Sequence, residues 1–172
     1  MAFSRRRRDK LSGEVRSALE LGTRERVLSW ARDAGSGATV VATNHKLYAV
    51  GPGGERTLDR AWHLVDAGTW SSDLFQLTVT WVDGARPSQW VFREPTLLQE
   101  TVRERVQASV VLAQDVVLGR RRAGRVVIRQ DLSTGELVDQ VLLARGVRPD
   151  DPGVQTAVDV ARADLHEQVG LT

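Results

Sequence analysis

Apolar and polar side chains alternate along much of the first half of the chain, as in strands that bury one face. The alternation is clearest at residues 74–81, where apolar side chains at 75, 77, 79 and 81 flank glutamine and threonine. Turns rich in glycine, proline, serine, aspartate and asparagine separate the apolar runs. The pattern predicts seven strands, at residues 25–32, 38–43, 46–50, 55–58, 62–70, 74–81 and 89–93.

The predicted strands contain the residues expected to form an aromatic core. All five tryptophans lie between Trp30 and Trp90, so this region has large apolar side chains of its own to bury. We expect the inward-facing set to be Trp30, Phe75, Leu77, Val79 and Trp81.

A helix is predicted after the seventh strand. Pro95 suits a helix start, and Leu98, Val102 and Val106 recur at four-residue spacing. Residues 106–113 also fit a β-branched strand, so the end of the helix is open. We favour a helix to about residue 107 and a strand beyond it.

Residues 108–172 read as an extension of three strands and a helix. The strands are expected at 109–118, 125–131 and 136–144, joined by turns at 119–124 and 133–135. Asp150 or Asp151 can cap the final helix, Pro152 suits its first turn, and Gly170 can end it. Its apolar stripe predicts packing on a sheet that contains Val126, Ile128, Val141 and Leu143. The stripe consists of Val154, Val158, Ala161, Leu165 and Val169.

The N-terminal segment divides into a basic tail and a short helix. Residues 1–10 offer little to bury, and the run Arg5, Arg6, Arg7 and Arg8 repels itself, so we predict a disordered tail. Apolar residues at 11, 15, 18 and 19 have helical spacing, and Gly22 suits the C-cap of a helix over 11–22.

Composition narrows the chemistry and the compartment. The 172 residues contain no cysteine, which removes disulfides, thiolate metal sites and cysteine nucleophiles. No apolar run follows the N-terminal arginines or reaches the length of a membrane span, so we expect a cytoplasmic protein. Arginine far outnumbers lysine, which is typical of GC-rich coding and suggests a bacterial source. The net charge is only +2, and six basic residues against two acidic ones give residues 1–16 a net +4, so the remainder is slightly acidic.

Residues 40–50, Val-Val-Ala-Thr-Asn-His-Lys-Leu-Tyr-Ala-Val, resemble the second-to-third hairpin of bacterial PH-like (pleckstrin-homology and GRAM-like) domains. Residues 62–66, leading into the strand at 74–81, stand where that family has its fifth and sixth strands. The resemblance covers residues 25–107 and implies a seven-stranded antiparallel barrel of two nearly orthogonal sheets, closed by the helix after Pro95. The expected fold class is therefore α+β, a PH-like barrel capped by a helix, followed by a small three-stranded antiparallel sheet and a C-terminal helix.

The resemblance does not extend to the lipid-binding site of PH domains. Eukaryotic PH domains often bind phosphoinositides through a basic loop between the first two strands. The corresponding residues 33–37 contain no basic side chain, which argues against phosphoinositide binding. The extension after residue 107 lies outside the family pattern.

Few residues suggest catalysis or a cofactor. Asp59, His63 and Asp66 could join a base to an orienting carboxylate, but in one strand they would not share a face. The glycine-rich segments 35–37 and 51–54 lack the lysine or the following helix of a phosphate loop. We therefore predict no catalytic, metal or cofactor residue and no cofactor.

Two arginine clusters are the candidate binding residues. The first is the N-terminal run, and the second is expected at a hairpin tip, where it would meet phosphate or simply blunt a sheet edge. It consists of Arg120, Arg121, Arg122 and the nearby Arg125. The leading hypothesis is a non-enzymatic PH-like scaffold that binds a protein partner through a sheet edge or an apolar groove. The alternatives are an arginine-dependent binder of anionic lipid or nucleic acid, and a hydrolase-type enzyme.

Overall fold

A computed structural model describes residues 10–170 of the chain. These residues form three α-helices, ten strands and one short 3-10 turn, in an order close to the one expected. The elements are α1 (Gly13–Leu19), β1 (Val27–Arg32), β2 (Thr39–Thr43), β3 (Lys46–Val50), β4 (Arg56–Ala61), the 3-10 turn (Trp62–Leu64), β5 (Val65–Ser71), β6 (Gln76–Trp81), β7 (Ser88–Val91), α2 (Leu98–Ser109), β8 (Val110–Leu118), β9 (Arg121–Gln130), β10 (Leu137–Leu143) and α3 (Pro152–Val169).

The strands form three antiparallel sheets. Their orders are β1-β2-β3-β4, β5-β6-β7 and β10-β9-β8. The first two sheets meet where the Ala34 N–H donates to the carbonyl of Val91 over 2.7 Å, but no strand pairing closes them into a barrel. The α+β class, the three antiparallel sheets and the C-terminal helix are confirmed. The closed barrel is not.

The first core lies between the first two sheets and α2. It contains Trp62, Leu77 and Val79, each at most 1% exposed, and Val102 brings α2 onto it. Gly68 allows this close approach, because a Cβ there would lie 2.8 Å from a methyl carbon of Val102. The predicted inward orientation of the β6 side chains is confirmed.

Two expectations about tryptophans in this region are wrong. Residues 62–64 form a 3-10 turn instead of the start of a strand, because the fully buried Trp62 donates its indole N–H to the carbonyl of Thr43 over 2.9 Å. Trp30 lies on the other face of the first sheet, where it packs with Leu19 and Val41 beneath α1. Its side chain therefore belongs to a second, smaller apolar cluster.

The ends of α1 and α2 differ slightly from the expected positions. Helix α1 ends at Leu19, because Glu20 takes the left-handed C-cap conformation with φ 49°, and Gly22 is not the cap. The Gly22 N–H donates instead to the Glu25 carboxylate over 2.9 Å. Residues 106–113 are part helix and part strand, since α2 runs to Ser109 and β8 begins at the next residue.

The third sheet packs its apolar face against α3. Asp151 caps the helix, Pro152 is its first residue and Gly170 ends it with φ 72°, as predicted. The helix stripe lies against the apolar side chains of the sheet, which confirms the predicted packing. The buried members are Val154, Val158, Ala161 and Leu165 of α3 with Val116, Ala123, Val126 and Ile128 of the sheet.

The opposite face of the third sheet meets β5, the 3-10 turn and α2 through polar contacts. Arg129 is 1% exposed and donates to the Val65 carbonyl and to Ser109 Oγ, both over 2.7 Å. Burial, with a smaller contribution from Arg125, lowers the pKa of this guanidinium. Gln140 donates to the carbonyl of residue 63 over 2.7 Å. These directed bonds fix the third sheet relative to the rest of the chain.

Candidate functional site

The structure separates the three residues considered for acid–base chemistry. Asp59 forms an ion pair with Lys46 at 2.9 Å, and Asp66 forms one with an arginine of β9. His63 Nδ1 lies 3.8 Å from a carboxylate oxygen of Asp131. Burial lowers the pKa of His63, although Asp131 acts in the opposite direction. Each of these groups has a different neighbour, so the sequence triplet does not form a site.

The second arginine cluster is also divided. The β8–β9 turn contains only Gly119 and Arg120, shorter than the expected 119–124, because β9 already begins at Arg121. Arg122 forms an ion pair with Asp115 at 2.8 Å. Arg125, four residues inside β9, forms one with Asp66 at 2.8 Å, so it acts as a contact between sheets. The N-terminal run at residues 5–8 lies outside the described residues.

A groove runs between α3 and β10, and it was not foreseen from the sequence. Helix α3 packs mainly on β8 and β9, so the face of β10 beside it is only partly covered. The groove has a volume of about 280 Å³. Its lining combines five apolar residues with three polar ones. The lining residues are Val141, Leu143, Pro149, Val154, Gln155, Val158, Asp159 and Arg162.

Strand β10 is an edge strand, and its free backbone groups can be assigned from the ladder. At one end the Asp131 N–H donates to the Glu136 carbonyl, and at the other the Ala144 N–H donates to the Ala123 carbonyl, both over 2.8 Å. The register between these ends is unbroken. Because hydrogen-bonded pairs alternate in an antiparallel ladder, the even-numbered residues of β10 face β9. The odd-numbered residues therefore direct their N–H and C=O groups to the free edge.

The same odd-numbered residues direct their side chains to α3. Val141 and Leu143 pack against the apolar cluster beneath the helix. Asp139 accepts hydrogen bonds from Arg162 at 3.0 Å and contacts His166 Nε2 at 2.9 Å, both on α3. Free backbone groups and groove-facing side chains thus coincide at alternate positions of one strand.

The two ends of the groove differ in charge. At the Leu143 end, Arg145 follows the strand and Arg121 begins the neighbouring one; both are exposed and form no ion pair with a described carboxylate. Toward the other end, Asp139 is paired with Arg162, and Glu136 is exposed. Among the described residues, unpaired positive charge is therefore concentrated at the Leu143 end of the groove.

A second cleft, of about 340 Å³, lies beside Tyr48 on the first sheet. In this cleft the Glu25 carboxylate accepts hydrogen bonds from the Tyr48 hydroxyl at 2.9 Å and from Thr43 Oγ1 at 2.5 Å. Burial and the bond to Glu25 raise the pKa of Tyr48 well above its usual value. This network holds the segment before β1 in place.

Comparison of the chain with protein-family models and with curated proteins gave no match. Within residues 10–170, no three histidine or carboxylate side chains are grouped so that they could hold a metal ion. Among the described helices, none is both long and apolar enough to cross a membrane. The α3–β10 groove is the feature whose geometry best suggests a role.

Proposed function

We propose that the chain is a non-enzymatic, cytoplasmic interaction module that binds a protein partner by taking up an extended segment of it beside β10. Val141 and Leu143 carry this proposal, because they line the α3–β10 groove and also direct their backbone N–H and C=O groups to the free edge of the sheet. A strand added there would form main-chain hydrogen bonds, and every second side chain would enter the groove. The order of a four-stranded sheet, a three-stranded sheet and α2 supports the interpretation of residues 25–107 as a PH-like domain.

The groove favours β10 over the other free edge of the same sheet. Strand β8 is also an edge strand and exposes Val110, Val111 and Val117. However, α3 packs directly on β8, so the helix already covers its inner side chains. A strand added to β8 would have no groove beside it, so its side chains would contribute less apolar burial.

The test uses a random peptide library displayed on phage and selected on the full chain. Val141→Pro removes a backbone N–H that the sheet does not use, so the sheet should form while strand addition is blocked. Val141→Thr keeps both the N–H and the branched shape, and it is the matched control. We expect selected peptides to bind the wild type and the threonine variant, and to bind the proline variant at least about tenfold more weakly.

Melting curves and circular dichroism on both variants establish that they are folded. If the selected peptides bind the folded proline variant as tightly as the wild type, strand addition at β10 is wrong. If selection on the wild type enriches no peptide, the proposal also fails.

A second candidate function is binding to an anionic surface, favoured by the exposed Arg120, Arg121 and Arg145 at one end of the third sheet. Such binding would weaken steeply as salt rises, because it depends on contacts with phosphate. Titration with phosphatidylserine vesicles and with duplex DNA at two salt concentrations tests it. Binding that disappears in Arg121→Glu but persists in Val141→Pro would support this second function over the first.

A further inference from the structure

We infer that the segment bound in the α3–β10 groove carries acidic side chains at the end that lies beside Leu143. This inference rests on the proposed function and adds the chemistry of the partner. It follows from the arrangement of charges around the groove.

The basic end of the groove is formed by two chain segments, the β8–β9 turn with the start of β9, and the residues after β10. The hydrogen bond from the Ala144 N–H to the Ala123 carbonyl places the end of β10 next to the beginning of β9. Arg145 and Arg121 therefore lie at the same end of the sheet, and Arg120 is in the turn that precedes β9. A strand added to β10 would run past this end.

These three arginines differ from their neighbours in having no described carboxylate as a partner. Arg122 is paired with Asp115 at 2.8 Å, and Arg148 is paired with Asp150 at 3.0 Å. Arg120, Arg121 and Arg145 are exposed, and no carboxylate within residues 10–170 neutralises them. The open positive charge thus lies where the end of an added strand would lie.

The opposite end of the groove offers no comparable positive charge among the described residues. There Arg162 is already paired with Asp139 at 3.0 Å and with Asp159 at 3.4 Å, and the exposed Glu136 directly precedes β10. Acidic residues over this end would find no unpaired arginine of residues 10–170, so a segment in the reverse register or direction would lose the favourable contacts. The unpaired arginines at the Leu143 end therefore determine where along the segment its acidic residues occur.

Contacts between exposed charges are individually weak, so the expected effect is moderate. Removing two or three such contacts should weaken binding about 3- to 30-fold at low salt. Apolar burial and main-chain hydrogen bonds supply the rest of the affinity. The arginines provide specificity among segments that share the alternation of apolar and polar residues. If the strand adds antiparallel to β10, its acidic residues precede the apolar ones.

The experiment repeats the phage-displayed peptide selection on full-length variants. In one variant Arg121→Glu is combined with Arg145→Glu. In the matched control Arg86→Glu is combined with Arg103→Glu, which makes the same change in net charge at exposed arginines elsewhere. Synthetic peptides from the wild-type selection are then titrated against all three proteins at low and high salt.

We expect the wild type and the control to enrich peptides with alternating apolar residues and aspartate or glutamate at one end. The groove variant should lose this acidic preference and bind the wild-type peptides about 3- to 30-fold more weakly, with the difference shrinking at high salt.

Apolar alternation without an acidic preference would overturn the inference and leave the proposed function intact. Peptides that bind Val141→Pro unchanged would instead overturn the proposed function. Equal weakening in the groove variant and the control would show a general effect of net charge, and it would also overturn the inference.

Discussion

Truncating Leu165 to alanine tests whether α3 is held on the third sheet as described, and hence whether the helical wall of the groove is stable. Leu165 is 1% exposed and packs in one cluster with Val116, Ile128 and Val158. Replacing a buried leucine by alanine costs about 2–5 kcal/mol, as lost transfer free energy plus the cavity left behind. Since the site is near the end of the helix and can partly collapse, we expect about 3 kcal/mol. For a chain of this size that lowers Tm by about 6–12 °C.

The control is Val160→Ala on the same helix, where the side chain is 57% exposed. Alanine favours the helix slightly more than valine does, so we expect a change within about 0.5 kcal/mol. Thermal unfolding followed by circular dichroism compares the two variants with the wild type. If Leu165→Ala melts together with Val160→Ala, then α3 does not pack on the sheet and the groove has no helical wall.

Three further predictions concern the other contacts. Gly68→Ala should cost about 1–3 kcal/mol in urea unfolding because its Cβ would meet a methyl of Val102 at 2.8 Å, and the loss in the double variant with Val102→Ala should be smaller than the sum of the two single losses. Arg129→Lys should cost about 1.5–3 kcal/mol, because an ammonium cannot reach both acceptors of the buried guanidinium, whereas the partly exposed Arg162→Lys should change stability by at most about 1 kcal/mol. Because burial lowers the pKa of His63, its contribution to stability is present above its unfolded pKa of about 6.5 and is lost as pH falls through that value toward the folded one. Urea midpoints at pH 7.5 and 5.5 should therefore differ less in His63→Gln than in the wild type, and an equal difference would show that another group titrates.

The elements with local signals could be predicted from the sequence. Helix α3 has an N-cap, a first-turn proline and a terminal glycine, and each of these acts through its own backbone. The alternation in β6 likewise reports a single buried face. Such signals need no knowledge of distant residues, so the bounds of these elements were close to the observed ones.

The candidate site could not be predicted, because it depends on where one element lies on another. The stripe on α3 indicates that a sheet covers it, but not that the helix lies toward β8 and leaves β10 partly open. The predictions for Trp30 and Trp62 were wrong for a related reason. Alternation along a strand does not indicate which face of a sheet packs in which apolar cluster. The turn at Trp62 follows from a bond to Thr43, nineteen residues earlier in the chain.

The two faces of the third sheet differ in how strictly they define geometry. Its apolar face packs on α3, and apolar contacts alone are non-directional. Its other face contacts β5 and the 3-10 turn through Arg125, Arg129 and Gln140, whose hydrogen bonds join particular atoms. A shift of the sheet would leave the buried Arg129 without its acceptors, which is costly for a charged group. The sheet, and with it the open edge of β10, is therefore fixed relative to the rest of the protein by its polar face. On the apolar face, the position of α3 leaves a groove beside that edge.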